Sequence, residues 1–229
     1  MSNSVEVEVV RVFTDAKGAF GNELGIVPAS AVPDGHEQDL AARLGFSETV
    51  FIGDLSGGRA TIRIFTPARE LPFAGHPSVG TAWWLGQLGM PIDTLVESAG
   101  DVAVRFDDET TWIAGRAEWA PEFEWFALPS PDNVDRLVAR EFGTGSNYAY
   151  AWIDESAGIL RSRMFAPAMG ITEDEATGAA AVAITTKLDR DLTIHQGKGS
   201  VIVTRRGEDG IVEVGGETIW DRRIELEVG

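Results

Sequence analysis

Alternating apolar and polar residues predict β-strands along much of the chain. Valine alternates with charged residues in VEVEVVRVF (5–13), and two similar runs, TVFIGDL (49–55) and RATIRIFT (59–66), flank the dipeptide Gly57-Gly58. Two glycines between strand-like runs are typical of a hairpin turn. The same reasoning predicts strands over 93–98, 101–106, 110–115, 147–154 and 159–165, and in three tail segments, HQGKGSVIVTRRG, IVEVGG and RIELEV.

Three segments have the composition of helices. Residues 36–44 (HEQDLAARL) are followed by Gly45, and glycine often closes a helix. The other two segments are 77–88 (PSVGTAWWLGQL) and 176–188 (ATGAAAVAITTKL), which carry almost no charge. Because neither has a polar face, we expect both helices to be buried on all sides.

A short motif occurs twice along the chain. Arg-Ile-Phe-Thr-Pro-Ala at 63–68 returns as Arg-Met-Phe-Ala-Pro-Ala at 163–168, 100 residues further on. Each copy ends a predicted strand and precedes a loop and an apolar helix, which implies two similar lobes. The segment 118–137, rich in proline and aromatic residues, is expected to cross between them. The alternative is two unrelated strands that share a turn sequence.

The loop before the first apolar helix is a candidate anion site. Pro77 suits the first helical position, where a missing N–H costs nothing, and this places His76 at or next to the N-cap, after Gly75. The first N–H groups of a buried helix need a partner, and an anion is a suitable one. The alternative is an N-cap or surface histidine.

The loop before the second apolar helix is acidic. It carries Glu173, Asp174 and Glu175 in a row, followed by Thr177-Gly178. Thr172 and Glu175 have the spacing of a capping box, which is the structural alternative for this cluster. If the two lobes pack about a pseudo-twofold axis, both helix N-termini face one crevice, with His76 and Asp174 on its walls.

Composition excludes several classes of function. The net charge is −17, from 19 Lys+Arg against 36 Asp+Glu, a balance that disfavours nucleic acid and anionic membranes as partners. With no cysteine, the chain has no disulfide, thiolate nucleophile or Cys-ligated zinc. The histidines His36, His76 and His195 lack metal-ligand spacing, so no metal is expected. The N-terminus does not resemble a signal peptide, which makes a cytoplasmic protein the expectation.

The run FTPARELPFAGHPSVGTAW resembles the signature of the PhzF-like, phenazine-biosynthesis isomerase family. Further stretches agree in the same order: DAKGAFGN (15–22), SETVF (47–51), EDEATG (173–178), Gln196-Gly197 and VGG (214–216).

The resemblance implies an α+β protein with the diaminopimelate-epimerase-like fold, in which two pseudo-symmetric lobes each wrap a curved mixed sheet around a central helix. It places the N-terminal lobe at residues 1–117 and the C-terminal lobe at 118–221, with the last strand, near 222–228, returning to the first lobe. It also implies a homodimer and a cofactor-free isomerisation that moves a proton between ring carbons of a small carboxylated substrate.

Site residues follow from the matching motif positions. Glu48 would be the acid/base that shuttles the proton, with His76 and Asp174 as its polar partners. General-base chemistry at carbon suits a partly desolvated carboxylate, and Glu48 lies among the apolar residues of GFSETVFI. The alternative is a glutamate that caps a turn or begins an exposed strand. The substrate-binding positions implied are Asn22, Gly75, Thr177, Gly178 and Ala179.

The chain departs from the family pattern at several positions. Glu23 and Glu175 replace usual prolines, and Ala179 replaces a usual serine. Relatives of the same fold that racemise or epimerise amino acids use two cysteines, whose positions here are Ala74 and Thr177. A two-thiol mechanism is therefore excluded, and a single carboxylate is the expected proton carrier.

These observations support a cofactor-independent isomerase of a small, cyclic carboxylate. A catalytically silent small-molecule-binding or interaction protein on the same fold is the main alternative, and a racemase with unrelated bases is a third.

Overall fold

Fifteen strands form one continuous mixed sheet in residues 3–107 and 110–228, which this computed structural model describes. The sheet curves around two central helices, so the fold is α+β with two similar lobes. The first-half strands are β1 Asn3–Thr14, β2 Phe20–Pro28, β3 Glu48–Ser56, β4 Arg59–Phe65, β5 Glu70–Leu71, β6 Thr94–Glu97, β7 Gly100–Asp107 and β8 Thr110–Arg116. Those of the second half are β9 Glu124–Ala127, β10 Asn147–Asp154, β11 Ile159–Ala166, β12 Ile171–Asp174, β13 Leu192–Gln196, β14 Ser200–Arg206 and β15 Ile211–Val228.

The strand order places the two halves side by side. It runs β1-β2-β3-β4-β6-β7-β8 and continues as β15-β14-β13-β11-β10-β9, while β5 pairs with β4 and β12 with β11. The four α-helices of the described residues are α1 Glu37–Leu44, α2 Gly75–Gln87, α3 Pro131–Asp135 and α4 Gly178–Leu188. Helix α2 packs against β1, β8 and β15, and α4 packs against β14 and β15. No helix in these described ranges is both long and apolar enough to span a membrane.

The last strand joins the two halves of the sheet. Residues 211–216 of β15 pair with β8, while residues 217–228 pair with β1. The sequence predicts two separate strands here, and that prediction is wrong. Gly215 and Gly216 do not form a turn; they make room for aromatic rings, because a Cβ would lie 2.6 Å from Trp112 at Gly215 and 2.5 Å from Phe13 at Gly216.

The predicted helices are confirmed, with shifted starts for the two central ones. Helix α2 begins at Gly75 rather than Pro77, and its N-cap is Ala74. The early start is tolerated because N–H groups throughout the first turn lack intrahelical partners, so a proline at the third position costs no hydrogen bond. His76 therefore lies within the first turn. Helix α4 begins at Gly178, not at residue 176.

Several elements were not expected from the sequence. Strand β2 contains two glycines and ends in proline, residues that are depleted in strands, yet it lies between β1 and β3. The segment 118–137 is more than a crossing, because it contains β9 and α3.

Gly57 and Gly58 form the predicted hairpin turn with φ of 58° and 77°.

The sequence repeat is also a structural repeat. In the first lobe Arg63 donates two hydrogen bonds of 2.8 Å to the carboxylate of Glu70, and in the second Arg163 donates two of 2.7 Å to Glu173. Each guanidinium also lies over a phenylalanine two residues further along its strand, at 4.8 and 5.0 Å from the ring centroids. The two copies therefore share an arginine–glutamate pair and a cation–π contact as well as their order of strand, loop and helix.

The two central helices touch at their N-termini. A Cβ on Gly178 would lie 2.7 Å from the Cα of Gly75, and one on Gly75 would lie 2.9 Å from the Cα of Gly178. Such distances are too short for non-bonded carbon atoms, and the atoms in contact are backbone atoms that cannot rotate away. Glycine at both positions is what allows the two helices to meet.

We expect Gly178→Ala to destabilise the protein by about 1–3 kcal/mol, because the added methyl group forces the helix starts apart. Gly86→Ala is the matched control in α2, since its Cβ would meet Phe106 at an ordinary 3.5 Å. That substitution should leave stability unchanged or raise it by about 0.5–1 kcal/mol through helix propensity. Urea unfolding measures both variants, and equal stabilities would contradict the helix contact.

A buried carboxyl lies under the first turn of α2. The Oγ atom of Ser78 is 2.6 Å from Glu97 Oε1 and 2.8 Å from the carbonyl oxygen of Ala74. The Ser78 hydroxyl donates its one hydrogen to the ionised carboxylate of Glu97. When Glu97 is protonated it can donate to Ser78 instead, which frees that hydrogen for the carbonyl of Ala74. Burial, opposed by the contact with Ser78, raises the pKa of Glu97 from 4.5 to about 8.

This carboxyl predicts a pH-dependent stability. Since the pKa in the folded protein lies above 4.5, the stabilising contribution of the bound proton is complete below pH 4.5 and is lost as the pH rises through about 8. In Glu97→Gln the free energy of unfolding should therefore change less with pH and exceed that of the parent at pH 8.5, by on the order of 2–4 kcal/mol. Urea unfolding at pH 5.5, 7 and 8.5 tests this. Glu155→Gln, in an exposed turn, should keep the parent's slope; the same slope in Glu97→Gln would contradict the assignment.

Candidate active site

A narrow cavity lies where α2 and α4 meet. Water-sized spheres can be centred in about 30 Å³ of it. The walls come from both lobes, because residues of β3 and α2 face residues of β12 and α4 across it. The cavity thus lies between the two copies of the repeat.

Glu48 and His76 form one polar wall. Glu48 is the first residue of β3, and its Oε2 atom lies 3.0 Å from Nδ1 of His76 in the first turn of α2. Both side chains are buried, with 9% and 2% of their surfaces exposed. Among the described residues, neither Glu48 Oε2 nor His76 Nε2 has an aligned hydrogen-bond partner. Glu48 does begin a strand, but that strand start is not exposed.

Asp174 forms the opposing polar wall from the second lobe. Its Oδ1 atom accepts a hydrogen bond of 2.6 Å from Asn22 Nδ2, and its Oδ2 atom accepts one of 2.6 Å from Thr177 Oγ1. Gln196 donates to both the backbone oxygen of Asp174 and the Thr177 hydroxyl, at 3.0 and 2.8 Å. Both oxygen atoms of the Asp174 carboxylate are therefore hydrogen-bonded, and Gln196 also binds the backbone of its strand, β12.

The environment of Asp174 changes its acidity. Burial raises the pKa of this carboxyl from 3.8 to about 6, and the negative charge of Glu48 acts in the same direction. The neighbouring His76 and the hydrogen bonds from Thr177 and Asn22 oppose that increase. Asp174 consequently changes its protonation state close to neutral pH, which an exposed aspartate does not do.

The helix starts supply backbone donors to the same space. Ala74 and Thr177 are the N-caps of α2 and α4, and both have extended backbones. The N–H groups of the first turn that follow each cap have no carbonyl partner within their helix. Two such ends directed at one cavity, each with the positive end of a helix dipole, favour an anion there.

Most of the predicted site residues lie together. The cavity lining includes the predicted catalytic side chains and all but one of the predicted binding positions: Glu48, Gly75, His76, Asp174, Thr177, Gly178 and Ala179. Asn22 is not part of the lining. It lies behind Asp174, where its amide nitrogen also donates to the carbonyl of Ala176 at 3.0 Å.

The acidic loop is not a capping box, so that alternative is wrong. Thr172 lies in β12, and the N-cap of α4 is Thr177. Glu175 instead accepts hydrogen bonds of 2.8 Å from the N–H of Lys198 and 3.0 Å from Ser200. Glu173 is held by Arg163, so of the three consecutive acids only Asp174 lines the cavity.

The apolar part of the lining was not found from the sequence. It includes Leu71, Phe73, Pro121, Phe123, Met164, Met169 and Ile171. The proline and aromatic content of segment 118–137 was a signal for two of these residues, but nothing local showed that they turn towards the helix starts. No group of three or more metal-ligating side chains is arranged around an ion site in the residues that the structure describes.

Known proteins share both the sequence and the fold. Residues 10–142 and 140–214 match the PhzC-PhzF family, described as phenazine biosynthesis-like protein. The trans-2,3-dihydro-3-hydroxyanthranilate isomerase of Pseudomonas fluorescens is 34% identical over 217 residues, covering 78% of each chain. An isomerase of Deinococcus radiodurans without an assigned substrate is 28% identical and covers 96% of this chain and 89% of its own.

Solved structures agree with this fold. A PhzF-family protein of Enterococcus faecalis superposes with a TM-score of 0.78 at 20% identity, covering 98% of this chain and 100% of its own. A hydroxyproline epimerase of Agrobacterium vitis has a TM-score of 0.68 at 11% identity, with coverage of 100% and 94%. Because the family match spans most of the sequence and the fold extends over nearly all of it, the chain belongs to the PhzC-PhzF family of phenazine biosynthesis-like proteins.

Proposed function

We propose that this protein is an isomerase that moves a proton between carbon atoms of a small cyclic carboxylate bound between the lobes, without a cofactor. The observation that carries the proposal is the position of Glu48. This buried carboxylate has an oxygen atom without an aligned partner and lies beside His76, in the cavity onto which both central helices open. The isomerase names of the curated relatives support the same reaction class.

Substrate binding begins with the carboxylate. The N–H groups at the starts of α2 and α4, around Gly75 and Gly178, are the donors available to it. They are fixed by the helices before the substrate arrives, so little reorganisation is needed when negative charge develops on the substrate. The small size of both glycines lets the substrate approach the backbone closely.

Proton transfer is assigned to Glu48. Its carboxylate takes a proton from one carbon of the substrate, and the electron pair of that C–H bond delocalises into the conjugated carboxylate. Glu48 then returns the proton to a second carbon, so the double bond moves while the atoms of the substrate stay the same. His76, whose Nδ1 atom lies 3.0 Å from Glu48 Oε2, is the polar partner of this carboxylate.

Asp174, in its ionised form, provides the polar wall opposite Glu48 and His76. Its negative charge attracts His76, and its two oxygen atoms hold the side chains of Thr177 and Asn22. We assign Asn22 a supporting role, because its contacts reach Asp174 and Ala176 rather than the cavity.

A silent binding protein remains the second candidate, and Ala179 favours it. This residue lines the cavity at the start of α4, where the family usually provides a serine hydroxyl. The other two departures are of less consequence for the cavity. Glu23 pairs with Arg222 at 2.6 Å and Glu175 holds Lys198 and Ser200, so neither lies in the lining.

We expect Glu48→Gln to lower catalysis at least 100-fold, because an amide cannot take a proton from carbon. The measurement is NMR detection of deuterium incorporation at carbon in heavy water, over a panel of cyclic unsaturated carboxylates. Glu155→Gln, in the exposed turn, is the matched control and should retain the parent rate. Undiminished exchange in Glu48→Gln would remove Glu48 from the mechanism, and bound compounds that never exchange would favour the binding protein.

The rate of exchange should also depend on Asp174. Since the pKa of this carboxyl is raised to about 6, it gains a proton on mild acidification, and the rate should fall about tenfold per pH unit below that value. Thr177→Val removes a hydrogen bond to the ionised form of Asp174, which raises the pKa of that carboxyl. In this variant the fall in exchange rate on acidification, the acidic limb of the pH profile, should therefore begin at a higher pH. Circular dichroism at each pH separates this effect from unfolding. An unchanged limb in Thr177→Val would contradict the assignment to Asp174.

A further inference from the structure

A turn of the second lobe lies against the start of β2 in the first lobe. Residues 197–199 form this turn, which joins β13 to β14. The ring of Phe20, the first residue of β2, packs on it so closely that a Cβ on Gly199 would lie 2.7 Å from ring carbons. The N–H of Gly21 donates a hydrogen bond of 3.0 Å to Oγ of Ser200. The lobes therefore also meet here, at residues that do not line the cavity.

Glu175 holds the same turn from the side of the acidic loop. Its Oε1 atom accepts hydrogen bonds of 2.8 Å from the N–H of Lys198 and 3.0 Å from the Ser200 hydroxyl. The carboxylate fits under the turn because residue 197 is a glycine, where a Cβ would lie 2.5 Å from Cδ of Glu175. Ser200 thus accepts from Gly21 and donates to Glu175. We call these three residues the clasp.

Two routes lead from the clasp to the carboxylate of Asp174. Asn22, the residue after Gly21, donates 2.6 Å to Oδ1 of this carboxylate. Gln196, the residue before the turn, donates 2.8 Å to the Thr177 hydroxyl, which itself donates 2.6 Å to Oδ2. The donors to both oxygen atoms of Asp174 are therefore set by chain segments that the clasp joins.

We propose that Glu175 is a positioning residue of the site: by holding the β13–β14 turn against the start of β2, it keeps Asn22 and Thr177 aligned on the Asp174 carboxylate. Glu175 acts from outside the cavity lining. The family pattern has a proline at this position, and a proline offers no carboxylate to the turn, so the role belongs to this chain. The inference rests on the proposed function only in treating Asp174 as part of the site.

Alignment and charge affect Asp174 in opposite directions. Weaker hydrogen bonds to its ionised form raise the pKa of this carboxyl, whereas removal of the negative charge of Glu175 alone would lower it. The other titratable groups that act on these two acids are unchanged in every variant below: Glu48, His76, Tyr148, Glu173 and Lys198.

NMR of the side-chain amide of Asn22 measures the effect without a substrate, because this group donates directly to Asp174. In the parent protein its signals should titrate with a midpoint at the pKa of Asp174, about 6. We expect Glu175→Ala to move the midpoint upward by about one pH unit, as the hydrogen bonds to the ionised form weaken. Ser200→Ala breaks the clasp from its other side and should move it in the same direction. The double variant should shift no further than the larger single shift, because both changes break one link.

Two controls separate the clasp from charge and from proximity. Glu175→Gln keeps an oxygen that can accept both hydrogen bonds, so it should restore the parent midpoint. Glu23→Ala removes an acid next to Asn22 that pairs within its own lobe, with Arg222 at 2.6 Å, and should also leave the midpoint unchanged.

Circular dichroism establishes that each variant is folded at the pH of measurement. An unchanged or lowered midpoint in folded Glu175→Ala or Ser200→Ala overturns the inference, because the clasp then contributes stability alone. A shift in Glu175→Gln as large as that in Glu175→Ala also overturns it, since the charge and not the acceptor is then responsible.

The positioning role and the catalytic assignment can fail separately. A midpoint that shifts as expected in a protein that exchanges no proton with any bound carboxylate contradicts the proposed isomerase and leaves the role of Glu175 intact. Exchange that depends on Glu48, together with an unshifted midpoint in Glu175→Ala, does the reverse.

Discussion

The contact between Gly75 and Gly178 is the constraint on which the rest of the structure depends. Two central helices can begin side by side only if neither first residue carries a side chain, because the space that a Cβ would need is filled by the other helix's backbone. The contact directs two sets of unpaired N–H groups, and two helix dipoles, at one small volume. Both features favour an anion in that volume.

Burying acids next to these helix ends costs folding free energy. Glu48 and Asp174 carry the same charge within one cavity, and the latter's pKa is raised to about 6 by burial and by the neighbouring carboxylate. His76, Thr177 and Asn22 partly compensate through opposite charge and hydrogen bonds. A cluster that destabilises the folded chain in this way is typical of a functional site, where proton affinities are adjusted to chemistry rather than to stability.

The two halves share a framework but contribute different chemistry. Both copies of the repeat hold their return strand with an arginine–glutamate pair and lead into a buried helix. The N-caps are nevertheless Ala74 in one copy and Thr177 in the other, and only the second orients a carboxylate at its helix start. The proposed mechanism uses this asymmetry, with Glu48 of the first lobe as the proton carrier and Asp174 of the second lobe as the ionised group beside it.

Local patterns in the sequence predicted many of the strands, the central helices and the repeat, because alternation, glycine placement and duplicated segments act over short distances. The positions of the site residues came instead from the resemblance of their motifs to the PhzF-like family. Tertiary structure alone decided that Gly215 and Gly216 continue one strand, since their role is to admit Trp112 and Phe13, which are distant in sequence. It also decided that Asn22 holds the carboxylate of Asp174 and that Phe123 lines the cavity. Those roles depend on which side chains meet across the two lobes, and no stretch of sequence contains that information.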